Sequence, residues 1–192
     1  MITIMTIICF VGRMGSGKDT AASVLIEEYG YVHRSFAGKV KDVASTVFGW
    51  NREKLNGCTP LDREWREIVD EFWGFSPRFA LQKIGTEMFR EIIDPNVWVK
   101  SLLMDIPETS EEDTVITDCR FPNEYEALRK RGAKFVFVDR YQVSSSSRHE
   151  QHVSESYVDS MKGACDYLLE NNGTLEDMRR EVKKIAKNVG LN

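Results

Sequence analysis

The stretch Phe10 to Thr20 reads FVGRMGSGKDT, with three glycines and a lysine spaced as a phosphate-holding turn requires. A polyphosphate needs several donors converging on it without steric obstruction. Glycines let the backbone turn its N–H groups inward, the start of a following helix adds positive potential, and a lysine bridges the outer phosphates. Gly12, Gly15, Gly17 and Lys18 meet that requirement. The usual pattern places Ser or Thr directly after the lysine, where its hydroxyl binds magnesium. Here Asp19 occupies that position and Thr20 follows one step later. Asp19 either complements the positive end of the helix or holds a magnesium-bound water, with Thr20 supplying the hydroxyl. A hydroxyl one residue later leaves the turn compatible with phosphoryl transfer.

Phosphoryl transfer is mostly positioning and charge neutralisation, so cations are needed around the migrating group. Arg13, Arg34, Lys39, Lys41, Arg63, Arg66, Arg90, Arg120, Arg140 and Arg148 are the supply, and most surface arginines are solvated or ion-paired. Arg120 stands apart because it follows Asp118 in DCRFPNE at the end of a predicted strand, where a transferred phosphate should lie. Asp118 either binds magnesium through water, orients an acceptor, or caps the helix that opens at Pro122. No His–Asp pair presents itself as a general base, which favours an acceptor that is already an ionised phosphate. The HEQH run at His149 to His152 lacks further Cys or His neighbours and is not expected to hold zinc. Trp65, Trp73 and Trp98 fall at helical spacing and read first as core, second as base-stacking surfaces.

The elements that must position these groups alternate between strand and helix. Ile4 to Val11 is a nearly continuous apolar run, expected of a strand buried on both faces. A helix over Thr20 to Tyr29 stops at Gly30, a short strand covers Tyr31 to Phe36, and a helix from Gly38 closes at Gly49. Asn51 to Pro60 is expected as loop, and Leu61 to Trp73 as a helix with Leu61, Trp65, Ile68, Val69 and Phe72 on its buried stripe. Arg78 to Ile93 forms another helix and Pro95 starts the next. Strands follow at Thr114 to Asp118, Lys134 to Asp139 and Cys165 to Leu169, with a helix over Pro122 to Arg131 and a short one over Val153 to Met161. The last helix opens at Thr174 with Asp177 as capping partner, and buries Leu175, Met178, Val182, Ile185 and Val189. This alternation predicts a five-stranded parallel sheet between helices. Ligands in such sheets sit beyond the carboxyl ends of the strands, where the glycine-rich turn and Asp118 converge.

Composition bounds the rest. The 192 residues suit one domain, with helices between the second and third strands left over for a substrate flap. Apolar residues at 42% and charged residues at 29% are ordinary for a globular protein, and the net charge of −4 argues against extended nucleic-acid binding. No run reaches the length of a membrane span, and MITIMTIICFV lacks the basic flank of a signal peptide. Four scattered cysteines without a C-x-x-C pair point to reduced thiols in a cytoplasm.

Several blocks together resemble the deoxynucleoside monophosphate kinases of tailed bacteriophages. They are GSGKDT, FAGKVKDVASTVFGW from Phe36, LQKIGTEMF and DPNVWVK within Leu81 to Lys100, VITDCRFPNEYEAL from Val115, HVSE from His152, and DYLLENNGTLEDM. They run in order over nearly the whole chain, and Asn51 to Arg78 is the weakly matched part. The resemblance implies a nucleoside monophosphate kinase fold in one domain, with an acceptor-binding helical segment at about 37–100 and a lid at about 140–160. It implies transfer of the ATP γ-phosphate, with magnesium, to a dNMP. Carried onto matching positions, Arg13, Gly15, Ser16, Gly17, Lys18, Asp19 and Thr20 bind donor phosphates. Lys39, Gln82, Thr86, Trp98, Arg120 and Glu124 lie on the acceptor side, and Arg140, Arg148 and Glu155 in the lid or active site. Its partners are nucleotides, without membrane or extended nucleic acid, and monomer and homodimer both stay open. The alternatives are another small-molecule kinase of the dephospho-coenzyme A or phosphomevalonate type, or a non-catalytic nucleotide-binding module. A GTPase would need N-K-x-D, which does not occur.

Overall fold

A computed structural model describes residues 5–108, 110–141, 157–158 and 160–190. The chain divides into two compact units, one comprising residues up to Ser35 and from Ile106 onward, the other Phe36–Asp105.

The first unit is built on a sheet of five parallel strands: β1 (Ile7–Val11), β2 (Val32–Arg34), β3 (Thr114–Ile116), β4 (Lys134–Asp139) and β5 (Tyr167–Glu170), in spatial order β2-β3-β1-β4-β5. All five residues of β1 are buried, as its unbroken apolar run requires of a strand covered on both faces. On one face, Ile8, Phe10, Val115, Val136, Val138 and Leu169 pack against helix α1 (Lys18–Tyr29) and the C-terminal helix, in which Met178, Val182, Ile185 and Ala186 are buried. On the other face, the helix over Pro122–Lys130 brings Tyr125 onto Phe135, with ring centroids 4.4 Å apart, and Arg129 over the same ring. The parallel α/β architecture expected from the alternation is present.

The second unit holds α2 (Ala37–Phe48), α3 (Arg52–Asn56), α4 (Pro60–Glu67), α5 (Pro77–Lys83) running into a π-helical stretch Ile84–Glu91, and α6 (Val97–Asp105). In chain order two further helices of the first unit are α7 (Pro122–Lys130) and α8 (Leu175–Asn188). The core of the second unit is aromatic: Trp50 and Trp98 are buried among Val40, Ala44, Leu55, Ala80 and Ile84, with Phe48, Trp65, Trp73, Phe75 and Phe89 packed around them. Three of these indoles, two buried and one half-buried, find an acceptor. Trp50 donates to Asp70 at 2.8 Å, Trp73 to the Phe48 carbonyl at 3.1 Å and Trp98 to the Gly85 carbonyl at 2.9 Å.

Several expectations change here. The segment expected as loop contains α3, because the Asn51 side chain accepts from Lys54 N–H at 3.0 Å and Gly57 closes the far end in the left-handed region. The helix expected over Leu61 to Trp73 ends at Glu67. Asp70 takes over, its carboxylate accepting from Phe72 and Trp73 N–H while its own N–H donates to the Phe75 carbonyl. The intended stripe is consequently open to solvent, Leu61 at 75% and Phe72 at 85%, with only Trp65 retained in the cluster. The helix from Arg78 widens into a π-helix after Lys83, and the helix expected from Pro95 begins at Val97. In α8, Leu175 is exposed whereas Met178, Val182 and Ile185 are buried as expected. The four-serine run lies outside the described residues, as does most of Val153 to Met161.

The reciprocal cap of α8 carries a pH signature. Thr174 and Asp177 hydrogen-bond each other's backbone N–H, and the Thr174 hydroxyl donates to the Asp177 carboxylate at 2.7 Å. That bond, with the backbone bond and Arg180 behind it, lowers the Asp177 carboxyl from 3.8 to about 2. The folded pKa lies below the unfolded one, so the stabilisation is present above the unfolded value and is lost as pH falls through about 2. Urea unfolding followed from pH 5 downward should show Asp177→Asn with a flatter loss of stability across that window than the parent chain; identical curves would exclude the cap as its source.

Candidate active site

Parallel pairing decides which chemical groups share an edge. In register, Cys9 of β1 lies opposite Ile116 of β3, and Val11 opposite Phe137 of β4. The segments that leave these three strands, at Gly12, Asp118 and Arg140, therefore emerge at the same edge of the sheet, and Asn171 leaves β5 beside them. With β1 between β3 and β4, the glycine turn sits where strand order departs to both sides, the position at which open α/β sheets bind ligands.

The turn itself is built by glycine. Gly15 and Gly17 adopt φ of 78° and 100°, a region disfavoured for side-chain-bearing residues. A Cβ on Gly12 would run into the Val138 carbonyl and the Ser16 hydroxyl. Ser16 N–H donates to the Arg13 carbonyl at 3.1 Å, closing the turn, and Gly17 caps α1. The Lys18 ammonium bridges the carbonyls of Gly12 and Arg13 at 2.7 and 2.8 Å, so the cation is folded over the concavity that its neighbours outline. Helix α1 starts at Lys18, two residues earlier than expected, which places Asp19 and Thr20 in its first turn and exposed.

Sequence candidates fall into distinct places. Arg13, Gly15, Asp19 and Thr20 are exposed on the turn, whereas Ser16 is 1% exposed with its hydroxyl turned beneath the turn toward Gly12. Asp118 and Arg120 are half-buried after β3. Glu124, at 1% exposure, accepts from the N–H groups of Arg120 at 2.8 Å and Phe121 at 3.1 Å, which fixes the backbone that carries Arg120. Arg140 is exposed after β4. Lys39, Gln82, Thr86 and Trp98 belong to the second unit. There Lys39 pairs with Asp105 at 3.3 Å, Gln82 is exposed on α5, Thr86 lies in the π-helix, and Trp98 is a core residue at 3% exposure. Arg148 and Glu155 lie outside the described residues.

Two features escaped the sequence reading. Asn171 donates from its side chain to the Ser16 carbonyl at 2.7 Å across 155 residues. With Arg140, Tyr141, Asn172 and Gly173 it also lines an open cleft of about 380 Å³. The available signal was an Asn-Asn-Gly after a strand, which reads equally as a turn. The second feature is the packing of Cys119 against Cys9. A hydrogen bond between the thiols and burial push the Cys119 thiol above its ordinary range.

Among the described residues no group of three or more His, Cys, Asp or Glu could by itself hold a metal ion. Magnesium needs no such cluster, because it keeps waters and substrate phosphate oxygens and takes one or two protein oxygens. Asp19, Thr20 and Asp118 are the oxygens available in the turn and after β3.

A deoxynucleotide monophosphate kinase family model matches residues 63–182, more than half of the chain. The chain belongs to the deoxynucleotide monophosphate kinase family. A protein of Acanthamoeba polyphaga mimivirus named for that activity is 31% identical over 199 residues, covering 96% of this chain and 97% of its own. The deoxynucleotide monophosphate kinase of Enterobacteria phage T4 is 23% identical over 246 residues, covering 95% and 99%. The fold also matches the crystal structure of shikimate kinase from Aquifex aeolicus, with a TM-score of 0.56 at 16% identity over 97% of this chain and 99% of that one. The protein is a nucleotide kinase. No helix among the described residues is long and apolar enough to cross a membrane.

Two outcomes follow from the geometry. Lys18→Ala should leave far-UV circular dichroism unchanged and lower turnover by about 100-fold or more, the scale of losing one preorganised charge contact. Titration of the native protein with a disulfide-exchange reagent should label exposed Cys58 quickly and reach buried Cys9 and Cys119 only on unfolding; fast labelling at Cys119 would contradict its burial.

Proposed function

We propose that this kinase transfers the γ-phosphate of ATP to a deoxynucleoside monophosphate, giving the dNDP and ADP. The observation that carries the reading is the adjacency, at one sheet edge, of the Lys18-bridged glycine turn after β1 and the Asp118–Arg120 segment after β3. The turn's backbone N–H groups and Lys18 hold the donor's outer phosphates, and Arg13 adds positive charge at its rim. Magnesium bound with the nucleotide supplies neutralisation of phosphate charge, with Asp19, Thr20 and Asp118 as the residues to hold it. Arg120, on a backbone fixed by Glu124, offers its guanidinium to the oxygens of the migrating phosphoryl group, where charge accumulates during transfer.

The acceptor is a phosphate monoester that is already ionised and needs no proton removed, consistent with the absence of a His–Asp pair among the candidates. Lys39, Gln82 and Thr86 are assigned to acceptor binding by resemblance; Trp98, which the resemblance also places there, is buried in the second unit's core and packs beneath that side instead. Arg140, Arg148 and Glu155 are assigned by resemblance to the lid or active site. The cleft lined by Arg140, Tyr141 and Asn171–Gly173 supports a place for the donor's nucleoside beside the turn.

Purified protein with ATP and magnesium, presented with each dNMP and NMP in turn, should release ADP with at least one dNMP. Arg120→Ala should cut that turnover by about 100-fold or more. ADP release with dephospho-coenzyme A or another phosphate acceptor, and with no dNMP, would replace the substrate assignment.

A further inference from the structure

The Ser16–Gly17 peptide is trans and planar, so its C=O and N–H point in opposite directions. Whatever holds the Ser16 carbonyl therefore aims the Gly17 N–H. Asn171 holds it: the side-chain amide donates to the Ser16 carbonyl at 2.7 Å from the turn after β5. The Asn171 backbone is itself anchored, its N–H donating to the Asp139 carbonyl at 2.7 Å where β4 ends. Glycine makes this clamp necessary. With φ of 100° and no Cβ, Gly17 permits rotation of the preceding peptide at little steric cost, and a rotated peptide would turn a carbonyl toward the bound phosphates. Glycine also makes the clamp possible, because a Cβ at position 17 would overlap the Asn171 amide and crowd Met178.

We propose that Asn171 is a positioning residue for the donor-phosphate turn, locking the Ser16–Gly17 peptide so that the Gly17 N–H faces the nucleotide phosphates. The inference rests on reading Gly12 to Thr20 as the donor-phosphate site. Asn171 acts through the backbone of Ser16 and Gly17, and the group it recognises is the polyphosphate, not the base.

The test compares the full-length parent with Asn171→Ala, which removes the donor, and Asn171→Asp, which keeps the size and sets a carboxylate against the carbonyl. The backbone bond to Asp139 does not depend on the side chain, so both variants should keep the parent's nucleotide-free Tm within a few degrees. In Asn171→Ala, KM for ATP should rise about tenfold, the scale of one lost hydrogen bond at a preorganised site, while KM for the dNMP stays within twofold. The loss in Asn171→Asp should be larger. Inorganic tripolyphosphate, used as a competitor of ATP, should weaken by the same factor as ATP, because it lacks a base to contact the neighbouring cleft. Equal increases in both KM values, a fall in kcat with KM for ATP unchanged, or unaltered tripolyphosphate competition would overturn the proposal. Should no dNMP serve as acceptor, the assigned reaction fails but calorimetry of ADP binding still decides this point. A roughly tenfold weaker ADP affinity in Asn171→Ala supports the clamp, and equal affinity, or no ADP binding by the parent, ends it.

Discussion

A short run of backbone between β1 and α1 must present N–H groups, not carbonyls, toward one point in space. Peptide dipoles left to themselves do not converge, since each N–H comes with an oppositely directed C=O. The chain resolves this by committing the carbonyls elsewhere. Those of Gly12 and Arg13 go to the Lys18 ammonium, Arg13 also receives the Ser16 N–H, and Ser16 is taken by Asn171. Two of the glycines accept left-handed backbone angles and a third leaves room against the Val138 carbonyl. The backbone of the turn is thereby set before any ligand arrives, which is what the proposed phosphate site requires of it.

The sheet supplies the rigidity that such a turn needs. Its central strand is buried over its whole length and hydrogen-bonded on both sides, to β3 and β4. Parallel pairing then sends the following segments out at one edge, so the groups that meet there come from positions far apart in the chain. Glu124 and Asn171 play analogous parts: each spends its side chain on backbone groups, one under Arg120 and one under Gly17. The kinase activity of the family needs charge placed to within a fraction of an ångström, and such side chains keep the backbone still.

The second unit is held by different means. Its helices are short, and three tryptophan N–H groups tie them together through Asp70, Phe48 and Gly85. The Gly85 carbonyl accepts from both Trp98 and Arg90, within the π-helical stretch that includes Thr86. π-helical turns are costly and recur at functional positions, and this one coincides with the block that resembles the acceptor-side motif of phage kinases.

The sequence by itself determined the glycine turn between strand and helix, the parallel α/β class and several helix ends, because glycine stops at Gly30 and Gly49 and the Thr174–Asp177 cap are local rules. It also marked Lys18, Asp118 and Arg120, whose spacing from strand ends carries their meaning. Tertiary structure decided what local pattern cannot encode. Asp70 outcompeted a helical stripe by bonding Trp50 and its own turn, leaving Leu61 and Phe72 in solvent. Asn171 gained its partner only when β5 came to lie beside β4, since a bond across 155 residues leaves no trace in local spacing. Helix caps are written over three or four residues, whereas the hold on the phosphate turn exists only once the sheet has assembled.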